Sequence, residues 1–398
     1  MLTLTIFENV NCTMYSVYGN RNNYTYFFDY FRSYLVIVMS SFLDDIRSAK
    51  LKKSAHATKD YSSPKLAGFT SSQEIKEYQN AVLDVNTELW QECLKDITFP
   101  SKYCPVSIEE AETFVRIFER MFKNLDAESI SKIDFWTNLT PEEKTVIDNL
   151  SCKLDVVLQE VIRNSKEGCA FVKTSSRSPK DAPMAHGKFG DLYQSYLSKL
   201  SEEERNCENQ QIVCLLKSAF EAMKVTSARE VMQLMLTSER IYQDMLLALE
   251  IKERYHENFV VREFVPIDVD MEFRAFVFDL ELTAIAQYNY LIFSNRLLKE
   301  KDVILERLQN FYKEEVKTRI TTKFPRHFIV DFAICKDKIW VIEINPFLVS
   351  TDSGLFSWEH ERHLLEGKEG FQFRIVEKAK PGAKTMLPSG VKCLLSKK

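Results

Sequence analysis

The sequence predicts an α+β protein, helical in its earlier part and built on hairpins thereafter. Three observations carry that expectation. Helix N-terminal signals recur at Ser107-x-x-Glu110, at Thr140-Pro141-Glu142-Glu143 and at Ser227-x-x-Glu230. Strand-like stretches then follow one another at Phe259–Val265, Glu272–Phe278 and Thr283–Phe293. Finally, Phe328–Phe347 (FIVDFAICKDKIWVIEINPF) alternates apolar and polar residues on both sides of a polar turn, Lys336-Asp337-Lys338, as a β-hairpin does.

The 398 residues suffice for one large or two ordinary domains. With 45% hydrophobic and 28% charged residues the composition is that of a soluble globular chain, and a net charge of −4 argues against a surface devoted to nucleic acid. Nine dispersed cysteines without a CxxC pair read as reduced thiols of a cytosolic or nuclear protein, and a cytoplasmic location is expected. Tyr26–Phe42 is aromatic and apolar but holds Asp29 and Arg32, and its apolar run is too short to cross a bilayer. No membrane association is expected, and no secretory signal is apparent.

Taken in order, residues 1–75 read as a poorly defined appendage and linker, the latter lysine- and serine-rich from residue 43. Residues 76–165 form a helical region. Helices are expected from about Ser72 to Leu94, from Ser107 to Asn124, and from Thr140 to Arg163, with FPSKYCP (Phe99–Pro105) as a helix-breaking connection. Residues 166–370 form the core. It starts with a short strand, Cys169–Lys173, and a polar loop, SSRSPKDAP. A helical stretch over 188–223 and a helix from Ser227 through Thr237 to Glu250 come next, then the strands. An amphipathic helix over Asp302–Ile320 precedes the hairpin. The last segment, 371–398, reads as a tail.

The hairpin carries the first chemical signal. Folded about Asp337, it sets Asp331 opposite Glu343, with Asn345 on the same face and Trp340, Ile342 and Ile344 on the core face. Two facing carboxylates and an amide suit a hard cation such as Mg²⁺. A solvated acidic hairpin fits the same pattern equally well. Half a residue of shift in the pivot would offset the pair.

Lys173, Arg177 and Lys180 fall within eight residues, beside three serines, an arrangement that offers a polyphosphate both charge and donors. A basic surface loop is the commoner explanation of such a run. In VVREFVPIDVDMEFRAFV, the backbone of Glu263, Phe264 and Val265 can face a purine edge. Arg262 and Arg274 face phosphate, or else pair with Glu263 and Glu272. No GxxxxGK[ST] or GxGxxG occurs. His360 and His363 in HERH miss the zinc spacing and read as helix-surface residues. No Ser-His-Asp or Cys-His constellation is supported.

Together, FVKTSSRSPKDA, EFRAFV, the D…EINPF of the hairpin and TDSGLFSW, in that order, resemble the cell division cycle protein 123 (D-123) family. The resemblance spans about Phe99–Trp358. Members of that family are ATP-grasp proteins, the best known being a cytoplasmic chaperone for assembly of eukaryotic translation initiation factor 2. The resemblance implies an ATP-grasp fold with antiparallel sheet lobes and a helical N-terminal region, with ATP and Mg²⁺ as ligands. It implies that Lys173 contacts the phosphates. Lys180 stands in place of a family arginine, followed by the matching Asp181. Glu263–Val265 would be the adenine hinge, Arg274 would line the phosphate side, and Asp331, Glu343 and Asn345 would hold Mg²⁺. Arg177, Arg262 and Gln287 complete the expected nucleotide-site set.

Departures from the family pattern are Arg177 and Ser175 in the phosphate loop, Glu343 for an aspartate, and Gln287-Tyr288-Asn289 where the family has Gln-Arg-Asp. FPSKYCP only partly matches the family's partner-associated segment. The expected function is therefore an ATP-dependent chaperone, probed first against the γ subunit of translation initiation factor 2, and expected as a monomer. The alternative is an ATP-dependent carboxylate ligase or phosphotransferase.

Overall fold

The computed structural model describes residues 72–320 and 324–387. The apolar Tyr26–Phe42 stretch, most of the expected linker and residues 388–398 lie outside them.

Two sheets organise the chain. In the smaller, β1 (Ser101–Val106) and β2 (Ala170–Thr174) flank β3 (Glu257–Glu263), both antiparallel to it. In the larger, the order is β7 (Lys338–Pro346), β6 (Phe328–Cys335), β4 (Glu272–Phe278), β5 (Glu281–Gln287) and β8 (Gln372–Arg374). All neighbours there are antiparallel except β5 and β8. The α+β expectation is met, with antiparallel and mixed sheets.

The helices pack where their apolar stripes direct them. Helices α1 (Ile108–Met121) and α2 (Pro141–Asn164) open on the expected capping boxes, Ser107 with Glu110 and Thr140 with Glu143. With α3 (Ala228–Thr237) and α4 (Glu239–Glu250) they bury Phe114, Ile117, Leu154, Met232 and Met245 against Phe259 and Val261 of the small sheet. Each such side chain contributes about 1.5–3 kcal/mol when fully buried. Gly187–Ser198 and Glu208–Ala222 form a separate helical pair around Phe189, Tyr193 and Leu215.

Several local expectations are corrected. FPSKYCP does more than break a helix: Ser101–Val106 is strand β1, and Pro105 is tolerated because β1 lies at a sheet edge. The long helix through Thr237 is two helices. Ser238 leaves the helical region at φ −84°, ψ 119° and accepts from the Ile241 amide, capping α4. The helix from Lys301 ends at Phe311 and continues as a π-turn over Tyr312–Val316, with Lys317 N–H bonded to Tyr312 C=O at 2.8 Å. Residues 372–374 join the large sheet beside β5, so the expected tail begins inside the fold.

The hairpin keeps its expected facing pair by an unexpected route. The turn is only Lys336-Asp337, because Cys335 pairs with Lys338, and Lys336 takes the left-handed conformation at φ 56°. A regular ladder from there would set Asp331 against Ile342. A β-bulge between Asp331 and Phe332 inserts Ile342 as an extra residue, and Asp331 faces Glu343 after all. The bulge also reverses the inner face before it. Ile339 and Val341 join Ile344 in the core, whereas Trp340 and Ile342, expected there, are only partly buried.

Candidate functional site

Between the outward face of the small sheet and one face of the large sheet lies a cleft of about 890 Å³, counting its open mouth. Alternation along β2 turns Val172 and Thr174 inward and Phe171 and Lys173 to the cleft. Alternation along β3 likewise turns Phe259 and Val261 to the core and Arg262 to the cleft. One end of the cleft is apolar, walled by Phe171, Leu216, Phe220, Met223, Phe264 and Val269. Glu263, Phe264 and Val265, where the chain leaves β3, also line it.

The other end is ionic. Arg274, Asp331 and Glu343 form a transverse row across β4, β6 and β7, set by the pairs Arg274–Asp331 and Asp331–Glu343. Arg274 grips Asp331 with a fork, Nε to Oδ1 at 2.9 Å and Nη2 to Oδ2 at 2.8 Å. Its Nη1 donates to the Asp352 carbonyl at 3.0 Å. Asn345 Nδ2 donates to Asp331 Oδ2 at 3.3 Å. Across the cleft, Lys173 Nζ stands 3.7 Å from Glu343 Oε2 and 3.4 Å from Thr87 Oγ1. Lys180 Nζ donates to the Tyr288 hydroxyl at 2.7 Å, and the Tyr288 ring lies under both Lys180 and Arg274, 4.9 and 4.8 Å from its centroid.

Burial and charge set the ionisation of this end. Burial raises Glu343, but Lys173, Lys180 and Arg274 outweigh it and hold the carboxyl at about 2. Burial lowers Lys173, with Glu343 working against the fall. Burial pushes Glu272 up to about 7 despite Lys180, because Asp331 and Glu343 share its neighbourhood. Burial also lowers Arg262 to about 10.

Of the expected nucleotide residues, Lys173, Lys180, Arg262 and Glu263–Val265 meet around the cleft, and Arg274, Asp331 and Asn345 adjoin it through Glu343. Three others are held outside its lining. Arg177 donates to the Tyr78 hydroxyl at 2.6 Å and faces Asp244 at 3.7 Å. Asp181 accepts from Ser238 and from the Arg240 amide, closing the N-terminus of α4. Gln287 spends its amide on Asn289 C=O, Ile292 C=O and Val376 N–H, and so ties the irregular chain after β8 to β5. His360 and His363 face Glu359 and Glu369 at the surface.

Thr87 and the acids Glu88, Asp244 and Glu257 behind the Lys173 loop escaped the sequence reading. Glu257 accepts from the Ser175 amide at 2.8 Å, Glu88 from the Ser175 hydroxyl and Asp244 from the Thr174 hydroxyl. Nothing in their local sequence marks them, since they converge from three distant segments. TDSGLFSW, by contrast, has a local logic: Ser353 Oγ donates to Phe356 C=O and Trp358 Nε1 to Thr351 C=O, closing the loop that presents Asp352 to Arg274.

As a metal site the hairpin offers two carboxylates and one amide, all oxygen donors, the chemistry Mg²⁺ takes. Among the described residues no group of three or more His, Cys, Asp or Glu side chains is placed to hold a metal ion. Asp331, Glu343 and Asn345 alone would leave most of a Mg²⁺ coordination shell to ligand phosphates and water. Among the described residues no helix is long and apolar enough to cross a membrane. All seven described cysteines are free thiols.

Comparison with known proteins agrees with the resemblance, and the family match takes in three of the four motifs, all but FVKTSSRSPKDA. The D123 family model matches residues 216–392. A translation initiation factor eIF2 assembly protein of Xenopus laevis is 37% identical over 109 residues, 27% of this chain and 31% of the relative, so the match spans about a third of that protein. A CDC123-like protein of Acanthamoeba polyphaga mimivirus is 22% identical over 90% of this chain and 96% of its own. The solved structure of Cdc123 from Schizosaccharomyces pombe superposes with a TM-score of 0.51 at 20% identity, covering 75% of this chain and 98% of that one. The chain therefore resembles the D123 family in sequence, and Cdc123 in fold.

Proposed function

We propose that this protein is an ATP- and Mg²⁺-binding member of the ATP-grasp class that acts, as the names of its eIF2 assembly relatives suggest, as an assembly chaperone holding a protein partner in an ATP-dependent way. One observation carries the nucleotide reading. The cleft joins an apolar slot to an end where two cations, Lys180 and the buried Arg262, form no ion pair among the described residues. Lys180 donates to a phenol, and Arg262 only to neutral oxygens. Glu343 balances these charges only at longer range, and an anionic ligand at Lys180 supplies a direct partner.

In this reading Phe171, Phe220 and Phe264 enclose the base, and the chain at Glu263–Val265 meets its edge. Lys173 and Lys180 receive phosphate oxygens from one side while Arg274 holds Asp331 in place on the other. Asp331, Glu343 and Asn345 would carry Mg²⁺, which when bound offsets phosphate charge. Lys173 and Glu343, 3.7 Å apart, would then hold phosphate and metal ion respectively.

Calorimetric titration with ATP, with and without Mg²⁺, tests the site. Wild-type protein should bind ATP, more tightly with Mg²⁺, and Glu343→Gln should lose the Mg²⁺ increment. No binding of ATP by the wild type would overturn the nucleotide reading. For the partner, capture of the γ subunit of translation initiation factor 2 from cytosol in the presence of ATP is expected. ADP release coupled to a small-molecule fraction instead would favour a ligase or phosphotransferase.

A further inference from the structure

Arg262 sits where a phosphate contact was expected, yet its guanidinium is committed to the protein. Nη1 donates to the Ile342 carbonyl at 2.6 Å, Nη2 to Thr98 Oγ1 at 2.8 Å and Nε to Ser101 Oγ at 3.1 Å, over the Phe99 ring. Ile342 is the extra residue of the hairpin bulge. Thr98 in turn donates from Oγ1 to the Val341 carbonyl at 2.7 Å, and the Val341 amide donates to Ile97 C=O at 2.8 Å. Two successive carbonyls at the bulge are therefore held from outside the hairpin, one by Thr98 and one by Arg262.

The bulge decides which way Glu343 points. Pairing runs regularly from Cys335–Lys338 to Phe332–Val341 and then skips to Asp331–Glu343. Without the skip, Glu343 would pair with Val330 and turn to the apolar face. We infer that Arg262 is a positioning residue for the metal-binding edge of the cleft: by fastening the bulge at Ile342 to Thr98 and Ser101, it holds Glu343 opposite Asp331. This rests on the nucleotide reading above and adds a coupling to it. The strand that supplies the base-end backbone directly braces the strand that supplies a metal ligand. A lysine cannot replace this brace, because three acceptors in different directions need the planar fork.

The experiment compares Arg262→Lys, Thr98→Val and Thr98→Ser in the full chain. Thr98 is fully buried and outside the cleft lining, so it reports on the brace without touching ligand. In Arg262→Lys and Thr98→Val, the Mg²⁺ concentration needed for half-maximal ATP binding should rise on the order of 10-fold or more, as for lost partners of metal ligands. In Thr98→Val metal-free ADP binding should change little, and Thr98→Ser should restore the wild-type Mg²⁺ requirement. An unchanged requirement in Thr98→Val, or an equal loss of metal-free ADP binding in that variant, would overturn the inference. Failure of the wild type to bind nucleotide would instead sink the proposed function. Amide exchange, read in the same proteins without ligand, then still decides. Both weakened variants should exchange faster at Ile342–Ile344 relative to the β4–β5 hairpin, and unchanged exchange would refute the brace.

Discussion

At the apolar end of the cleft, Phe171, Phe220 and Phe264 shape a slot whose walls need no charge. At the hairpin end, Arg274, Asp331, Glu343 and Lys173 already satisfy one another across three strands and a facing sheet. The first end costs little to keep open and selects by shape. The second end keeps buried ions in register by pairing them, so a ligand must exchange pairs there. That contrast makes the two ends separable by experiment, because changes at one should leave the signature of the other intact.

The largest effect is expected from Asp331→Ala. It strands Arg274, which is buried and whose fork loses both acceptors, at a cost of roughly 3–5 kcal/mol. Urea unfolding should show the loss, and a cost below about 1 kcal/mol would mean that the pair is no keystone of the ionic end.

At the apolar end, Phe220→Ala should weaken ATP binding on the order of 10-fold, the upper reach of a lost aromatic contact, without altering the Mg²⁺ increment. A change in that increment would show that the ends are not independent.

The third prediction is a pH dependence centred on Glu272. Its carboxyl titrates at about 7 against an ordinary 4.5. As pH rises from 4.5 towards 7 the unfolded chain ionises there before the folded one, so stability falls across that window. Glu343, held at about 2, has the opposite sign: its contribution is complete above 4.5 and is lost as pH falls towards 2. Ionised Glu272 also repels an anionic ligand, so ATP affinity should drop between pH 6 and 8 in the wild type. Glu272→Gln should flatten that drop, and a persistent slope would assign it to another group.

Smallest is Tyr288→Phe, which removes the acceptor of Lys180 but keeps the ring under both cations. A loss of about 1 kcal/mol in stability is expected, with the Mg²⁺ increment retained.

Much of this arrangement is legible in the chain because its signals are local. The three capping boxes are pairs three residues apart, and each forms as expected. The hairpin and its acids follow from alternation, and the order of FVKTSSRSPKDA, EFRAFV, EINPF and TDSGLFSW pointed to the family resemblance. What failed was decided by distant partners. Ser101–Val106 is a strand because β3 pairs with it, not because Lys-Tyr-Cys-Pro favours one. Arg177 and Lys180 are both basic and three residues apart, yet only Lys180 reaches the cleft, since Asp244 and Tyr78 claim Arg177.

The sequence alone thus determined which residues could face one another across the hairpin, since side-chain alternation is a property of the strand itself. Tertiary structure decided that they do. The turn is half a residue off the expected pivot, and a bulge at Ile342, braced by Arg262 of the other sheet and by Thr98 of the segment before β1, restores Glu343 to the face of Asp331. A bulge is a balance between ladder bonds lost and outside bonds gained, and the outside bonds come from residues roughly 80 and 240 positions away in the chain.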